Sequence, residues 1–329
     1  MTEKKRVLSG MRPTGPLHLG NLHGALNNWI DIQEKYECFF FVADWHALTS
    51  DYENTGSILE YGRELVIDWL SVGLSPEKST FFVQSLVKEH SELFLLLSMI
   101  TPVPWLERNP TYKDQIAQLG GNRDLSTFGF LGYPVLQAAD IIMYKADLVP
   151  VGVDQVPHVE ITREIARRFN YFYGKVFPEP ESMLTKTPKI LGLDRRKMSK
   201  SYNNAIYLCD KPDDISAKVS KMITDPQRAR KSDPGNPDIC NLFEFHKIYS
   251  DAQTVDNIRQ ECRSADIGCV QCKKIMAKNL AKALEPVRDK RDYYVTRPEI
   301  VDEIISSGSE KARRIAKHTM EEVRAAMKI

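Results

Sequence analysis

Apolar and polar residues alternate in blocks over the first 200 positions, and the blocks predict strands and helices in turn. Buried strands are predicted at 6–9, 38–43 and 80–84, and amphipathic helices at 20–35 and 58–70. The strands are uniformly apolar instead of alternating between apolar and polar residues. Such strands, separated by helices, indicate a parallel sheet that is covered on both faces.

The second half of the chain has a different pattern. A strand–turn–helix unit is predicted around 148–169, and strand signals then fade from about residue 210. A helix is predicted to start at Pro212, with acidic residues in its first turn, and helical patterns continue to Ile329. We therefore predict an α/β domain over 1–204 and a helical domain over 205–329.

Composition narrows the class of protein. The chain has 329 residues, 42% of them hydrophobic and 27% charged, as in ordinary globular proteins. The formal net charge is only +1, so any contact with RNA has to come from a local basic face. The N-terminal apolar stretch is too short for a signal peptide, and no run approaches the roughly 20 residues of a membrane span. These features predict a cytoplasmic protein with no membrane partner, in which the six cysteines do not form structural disulfides.

A loop rich in glycine and proline joins the first strand to the first helix, over residues 9–21. The helix would begin near Gly20, and its free N–H groups form a seat for phosphate. His18 and Asn21 lie at this end, where both can hydrogen-bond a triphosphate or its ribose, and Gly24 would let a nucleotide approach closely. The alternative is an ordinary turn with a surface histidine.

A second cationic loop, Lys197-Met198-Ser199-Lys200-Ser201, follows two arginines. As a charge run it could be simply solvated. As a functional loop it would neutralise the charge that develops on a leaving pyrophosphate, where electrostatic stabilisation accelerates a reaction most.

Three polar residues share one face of a predicted helix, because Tyr133, Gln137 and Asp140 stand at i, i+4 and i+7. Asp140 can accept a hydrogen bond from an indole N–H or a phenol O–H, while Tyr133 and Gln137 can face an ammonium group. The alternative is a helix with polar side chains at a domain edge. The next strand leads into Gly152-Val153-Asp154-Gln155, where Asp154 suits a ribose hydroxyl and Gln155 an ammonium group.

These stretches together resemble the class I aminoacyl-tRNA synthetases. The segment Pro-Thr-Gly-x-x-His-Leu-Gly-Asn at 13–21 is similar to their HIGH signature, with Asn21 in place of the last histidine, and residues 197–201 match their KMSKS signature. The resemblance runs over nearly the whole chain. It implies a Rossmann-like catalytic domain with a parallel sheet, an all-helical anticodon-binding domain, a dimerisation insertion at about 85–131, and a last helix that folds back on the catalytic domain.

Within this class the chain resembles the tryptophan branch. The stretches at 9–15, 24–29 and 41–49 and the VPVGxDQ segment at 149–155 are similar to tryptophanyl-tRNA synthetases, although Val153 stands where many members carry Glu. Tyrosyl-tRNA synthetases share the Tyr-x3-Gln-x2-Asp arrangement and remain an alternative. A paralogue that binds tRNA or nucleotide without charging is a second one.

The resemblance assigns roles residue by residue. It implies catalysis by His18, Asn21, Lys197, Ser199 and Lys200. It implies ATP binding, with Mg2+, by Met11, Arg12, Pro13, Gly20, Asn21, Gly24, Lys113, Gly152, Val153, Asp154, Ile190, Lys197, Met198, Ser199, Lys200 and Ser201. It implies tryptophan binding by Leu8, Tyr133, Gln137, Asp140 and Gln155. The implied partners are ATP, L-tryptophan, the tryptophan tRNA and a second copy of the chain, with no DNA.

Four late cysteines form the pattern C-x21-C-x6-C-x2-C, at Cys240, Cys262, Cys269 and Cys272. Four thiolates suit zinc or an iron–sulfur cluster, and spacing alone does not separate the two. The alternative is four free thiols. A subset of tryptophanyl-tRNA synthetases carries a similar pattern that holds a [4Fe–4S] cluster, so the resemblance favours this cofactor over Zn2+. Basic residues near these cysteines predict a local face for tRNA; they are Lys218, Lys221, Arg228, Arg230, Lys231, Arg263, Lys273 and Lys274.

Overall fold

The protein contains one parallel sheet, seen in a computed structural model that describes residues 4–110, 112–113, 124–184 and 190–329. Its strands are paired in the order β3-β2-β1-β4-β5, and every pair is parallel. The strands are β1 (Arg6–Met11), β2 (Glu37–Val42), β3 (Ser79–Val83), β4 (Leu148–Val151) and β5 (Glu181–Leu184).

Helices connect the strands and make up most of the chain after β5. They are α1 (Leu19–Asn21), α2 (Asn27–Ile32), α3 (Asp44–Leu48), α4 (Ile58–Val72), α5 (Glu89–Ser98), α6 (Val103–Glu107), α7 (Phe128–Met143), α8 (Val156–Tyr173), α9 (Pro212–Ser220), α10 (Asn241–Tyr249), α11 (Ala252–Arg263), α12 (Cys269–Val295) and α13 (Pro298–Met327). Of the helices in the described part of the chain, none is both long and apolar enough to cross a membrane.

The predicted α/β fold is confirmed by the parallel sheet and its connecting helices. Burial on both faces of the sheet explains why the strands are uniformly apolar. Phe39, Phe40 and Phe41 of β2 all lie in the core, where strands flanked by helices have no polar face. Strand ends differ from the prediction by one or two residues. The largest difference is at β1, which continues to Met11 and so carries the chain further before the glycine-rich loop.

The helix predicted at 20–35 is interrupted. A π-helical segment, Leu22–Leu26, lies between α1 and α2 and contains Gly24. π-helical turns are rare and occur mostly as bulges near functional sites. The helical periodicity was visible in the sequence, but one wider turn shifts the spacing of buried residues by a single position, which is too little to identify in so short a segment.

The chain forms two compact units. Unit 1 comprises Met1–Gly15, Asn28–Lys186 and Arg297–Ile329, and unit 2 comprises Pro16–Asn27 and Thr187–Thr296. This division differs from a single cut after residue 204, since Pro16–Asn27 groups with the C-terminal helices and α13 groups with the sheet. The insertion predicted at about 85–131 lies partly outside the described residues.

The last helix, α13, packs within unit 1 against the edge strand β3. Its Ala312, Ala316 and Met320 belong to a hydrophobic core cluster that also contains residues of β1, β2 and β3. The Val83 N–H donates to Ser309 Oγ at 3.3 Å, which gives a backbone donor of β3 a partner from the helix. Gly308 makes this approach possible, because a Cβ there would lie 1.8 Å from the carbonyl oxygen of Phe81.

Gly308→Ala should therefore destabilise unit 1. The added methyl group has to push α13 away from β3, and overpacking of this kind usually lowers the free energy of unfolding by about 1–3 kcal/mol. Urea denaturation followed by circular dichroism measures the change. Gly56→Ala is the matched control, because a Cβ at Gly56 meets nothing within 4 Å. Equal stability of the two variants would contradict the close packing.

Candidate active site

The second part of the glycine-rich loop, which belongs to unit 2 from Pro16 on, ends in a reciprocal capping box. The Asn21 N–H donates to His18 Nδ1 at 3.3 Å, and the His18 N–H donates to Asn21 Oδ1 at 3.1 Å. Gly20 is required between them, because a Cβ there would lie 2.9 Å from the His18 ring. Since Nδ1 accepts, the proton of a neutral His18 is on Nε2. Two residues predicted from the signature thus fix each other at the start of the helix.

The lysines of the second loop act electrostatically on the same histidine. Burial, followed by the positive charge of Lys200 and to a smaller extent of Lys197, lowers the pKa of His18 to about 4. His18 is therefore neutral near pH 7 and offers an uncharged N–H donor beside two ammonium groups. Donors and positive charge in one place form a site for phosphate oxygens.

Main-chain pairing inside unit 2 joins the glycine-rich loop to the segment that follows the lysine loop. The Leu19 N–H donates to the Ile206 carbonyl at 3.0 Å, and the Leu208 N–H donates to the Leu17 carbonyl at 2.9 Å. Met198 adds a side-chain anchor, because it is buried and approaches Gly20. The lysines on either side of Met198 are thereby held next to the capped turn, with Lys197 exposed and Lys200 half-buried.

Asn204 organises the lysine loop, and the sequence analysis gave it no role. Its amide Nδ2 donates to the Lys197 carbonyl at 3.2 Å and to Asp194 Oδ1 at 2.7 Å, and its Oδ1 accepts from the Ser199 N–H at 2.8 Å. The side chain is buried against Gly192, where a Cβ would lie 2.2 Å from Nδ2. One amide therefore holds the main chain on both sides of Met198.

In unit 1, three polar residues meet at the start of α8. Tyr133 Oη and His158 Nε2 are 2.9 Å apart, and His158 Nδ1 lies 2.9 Å from Gln155 Oε1. Burial, followed by the charge of His46, lowers the pKa of His158 to about 4, so this ring is neutral near pH 7. A neutral ring that donates to Gln155 accepts from the Tyr133 hydroxyl. His158 thus links two residues predicted to bind the amino acid, and spacing in the sequence did not indicate it.

Asp140 is the most buried charged residue of the predicted set, with a side chain that is 1% exposed. It accepts hydrogen bonds from Gln84, His46 and His90, at distances between 2.6 and 2.9 Å. Burial alone would raise the pKa of Asp140, but its interactions with His90 and His46 hold it below the ordinary value. The carboxylate is therefore ionised and fully hydrogen-bonded.

Several of the remaining predicted residues of unit 1 lie at the carboxyl ends of β1 and β4. Gly152 follows β4, and a Cβ there would lie 2.7 Å from Asp154 Oδ1, so glycine leaves room for this carboxylate. Arg12 follows β1 and donates to Ser50 Oγ at 3.1 Å. Exposure differs among the others. Leu8 is buried in the core, Pro13 is buried, Met11 and Gln137 are half-buried, and Val153 and Lys113 are exposed.

The four late cysteines share one neighbourhood in unit 2. Cys240 precedes α10, Cys262 lies in α11, and Cys269 and Cys272 lie one turn apart at the start of α12. Burial raises the pKa of Cys240 and Cys262, and that of Cys272 to about 12, and in each case another of the four cysteines adds to the increase. Among the described residues, however, no group of three or more Cys, His, Asp or Glu side chains is arranged to hold a metal ion.

Several residues of the predicted basic face have internal partners. Lys218 pairs with Asp210, Arg263 pairs with Asp238 at 3.0 Å, and Lys273 Nζ donates to the Ser220 carbonyl at 2.8 Å. Arg228 donates to the Lys231 carbonyl and lies 3.9 Å from Cys262 Sγ. These four cations make contacts within unit 2. Fewer basic side chains than predicted are therefore without an internal partner and available to RNA.

The comparisons with known proteins identify the family of the chain. Residues 1–285 match the family model described as tRNA synthetases class I (W and Y). The chain belongs to this class of enzymes, whose fold the parallel sheet also shows.

Curated relatives identify the branch of this class to which the chain belongs. The tryptophan–tRNA ligase of Thermotoga maritima is 53% identical, with 98% of this chain and 99% of the relative covered, and that of Aquifex aeolicus is 47% identical, with 98% and 100% covered. A solved tryptophanyl-tRNA synthetase from Campylobacter jejuni, complexed with ADP and tryptophan, has a TM-score of 0.91 at 34% identity and covers 98% of this chain and 100% of its own. Within its class the chain thus belongs to the tryptophan branch, as predicted, and not to the tyrosine branch.

Asn204→Ala should slow adenylate formation by at least about tenfold, because the loop loses three hydrogen bonds that are worth roughly 0.5–1.5 kcal/mol each. ATP–pyrophosphate exchange at varied ATP measures the effect, which we expect to fall on the ATP-dependent parameters. Asn203→Gly is the matched control, since Asn203 is exposed and already has a left-handed φ of 50° that glycine adopts readily. A loss of equal size in both variants would contradict the role of Asn204.

Proposed function

We propose that this protein activates L-tryptophan with Mg-ATP to tryptophanyl-adenylate and transfers the amino acid to the tryptophan tRNA. The observation that carries the proposal is the meeting of His18, Lys197 and Lys200 at one capped turn. Such a site suits the phosphates of ATP. The tryptophan–tRNA ligases that cover nearly the whole chain at up to 53% identity support the same reaction.

The phosphate chemistry would fall to unit 2. The tryptophan carboxylate attacks the α-phosphorus, and pyrophosphate leaves with the electron pair of the broken P–O bond. Lys197, Lys200 and the Ser199 hydroxyl stabilise the growing negative charge, while neutral His18 donates a hydrogen bond without adding charge. No protein nucleophile is needed, because positioning and charge stabilisation lower the barrier. Mg2+ enters with ATP as part of the substrate.

The amino acid would be recognised by residues of unit 1. Asp140 would accept the indole N–H, Tyr133, Gln137 and Gln155 would face the ammonium group, and Leu8 would contribute apolar surface. The hydrogen-bonded chain Tyr133–His158–Gln155 supports this assignment, because it holds two of these groups in one arrangement before a ligand arrives. Pre-organised groups need less reordering when the amino acid binds.

ATP–pyrophosphate exchange tests the reaction directly. We expect exchange that depends on tryptophan and not on tyrosine. Lys200→Ala should slow exchange at least about tenfold while tryptophan binding stays within about twofold, since the lysine acts on charge that develops in the transition state.

Lys175→Ala is the matched control for Lys200→Ala, because Lys175 is an exposed lysine of unit 1 outside the proposed site. Unchanged exchange in Lys200→Ala would overturn the role of the loop. Exchange with tyrosine alone would overturn the choice of amino acid, and folded protein that binds ATP but exchanges with neither would favour a non-charging paralogue.

We also propose that Cys240, Cys262, Cys269 and Cys272 hold a [4Fe–4S] cluster. The donor set fits, because four thiols lie within electrostatic range of one another, and Gly235 leaves space for Cys262, whose Sγ would lie 2.5 Å from a Cβ at that position. Four thiolates suit either a [4Fe–4S] cluster or Zn2+, and the resemblance to the four-cysteine subset of tryptophanyl-tRNA synthetases is what favours the cluster. Bound there, the cluster would cross-link α10, α11 and α12 and add to folding stability.

Metal analysis of protein purified without oxygen tests the cluster. We expect about four iron and four sulfide per chain, with broad visible absorption. Cys269→Ser should remove most of the iron and lower the melting temperature, whereas Cys209→Ser, a half-buried cysteine of unit 2 outside the pattern, should retain it. Zinc without iron would favour the alternative metal, and protein with neither would show that the four thiols are free.

Two further expectations are part of this proposal. We propose a homodimer through the insertion at about 85–131, supported by exposed apolar side chains at Leu95, Met99 and Val103. We also propose that the helices after residue 204 contact the tRNA anticodon region. Lys221, Arg230, Lys231 and Lys274 are the members of the basic set whose side chains show neither an ion pair nor a hydrogen bond among the described residues, so they are the natural phosphate contacts.

A further inference from the structure

The buried carboxylate of Asp140 depends on side chains from three other segments of unit 1. Gln84 Nε2 lies 2.8 and 2.9 Å from the two oxygens, His46 Nε2 lies 2.8 Å from Oδ2, and His90 Nδ1 lies 2.6 Å from Oδ1. A carboxylate offers about four acceptor positions, so these contacts use its capacity. An ionised group without such donors would be very unfavourable in the core.

The two histidines differ in their surroundings. The side chain of His46 is 12% exposed, so it lies on the accessible side of Asp140. The side chain of His90 is fully buried, and its second nitrogen, Nε2, lies 2.7 Å from Tyr144 Oη. Tyr144 is itself fully buried in the core. Oδ1 is therefore held by a chain of two inaccessible residues, and Oδ2 faces the side that a ligand can reach.

The direction of this chain follows from donor and acceptor chemistry. Because the Asp140 carboxylate only accepts, His90 Nδ1 carries a proton and donates. Nε2 of a neutral ring then accepts from the Tyr144 hydroxyl. In either protonation state His90 bridges the Asp140 carboxylate and the Tyr144 hydroxyl, so its ring is held at both nitrogens.

We infer that His90 and Tyr144 are positioning residues, which fix the direction of the Asp140 carboxylate and thereby set selectivity for an amino acid whose ring carries an N–H. Neither residue touches the substrate. An incoming N–H has to replace one existing donor, and the partly exposed His46 is the donor that can leave, while the buried pair keeps Oδ1 and the carboxylate plane in place. This inference rests on the proposed function, because it assumes that Asp140 accepts the ring N–H of tryptophan.

The test compares tryptophan with its isostere in which sulfur replaces the indole N–H. The ratio of kcat/KM for the two amino acids in pyrophosphate exchange measures how well the enzyme reads the N–H. We expect His90→Leu to lower this ratio by about tenfold and Tyr144→Phe by about threefold, as expected for a mispositioned hydrogen bond to a charged acceptor. The KM for ATP should stay within about twofold.

Two control variants distinguish a positioning role from a general loss of structure. His90→Asn keeps an N–H donor close to the position of Nδ1 and should recover a larger ratio than His90→Leu. Tyr173→Phe removes a hydroxyl from another tyrosine packed on the same core and should leave the ratio unchanged. A purely structural role of His90 and Tyr144 would lower kcat/KM for both amino acids equally, and an unchanged ratio in both variants overturns the inference.

Asp140→Asn separates this inference from the proposed function. A ratio that falls sharply in Asp140→Asn but stays normal in His90→Leu and Tyr144→Phe would leave the tryptophan assignment intact and overturn only the positioning role. A ratio unaffected by Asp140→Asn would show that Asp140 does not read the N–H, and both conclusions would fall together.

Discussion

Parallel pairing of β1 between β2 and β4 is the constraint on which the organisation of unit 1 depends. All strands then end at the same edge of the sheet, and the chain order reverses on the two sides of β1. Ligands of open α/β sheets bind outside this edge, at the point of reversal. Polar residues that are far apart in the sequence, such as Arg12, His46, Gln84 and Asp154, each follow the carboxyl end of a strand, so one topological choice determines where chemistry is possible.

Much of the fold and of the candidate site could be predicted from the sequence, because the signals were local. Runs such as Cys-Phe-Phe-Phe-Val-Ala can be buried only on both faces, and the spacing of His18, Gly20 and Asn21 places a cap and its partner within one turn. The lysine loop was equally visible as a short run. Patterns of this kind need no knowledge of the partner segments.

The residues that support the site could not be predicted, because they act through contacts that are distant in the sequence and not through a local pattern. His90, Gln84 and His158 act through contacts with residues up to 56 positions away, and nothing in their own neighbourhood distinguishes them from other polar residues in helices or strand ends. Asn204 lies beside the lysine loop but looks like an ordinary loop amide until its three partners are known. The grouping of residues 16–27 with the C-terminal helices likewise depends on long-range pairing, which a linear boundary after residue 204 does not describe.

The position of α13 affects how the protein can be made. A ribosome adds the 298–327 segment after every strand of the sheet, yet this helix gives the edge strand β3 its backbone partner at Val83 and completes the core. During synthesis the edge of the sheet at β3 therefore stays uncovered until this segment has been made. Exposed strand edges of this kind pair readily with other chains. A premature stop codon in this last segment would damage the sheet unit, although the lesion lies far from it in the gene.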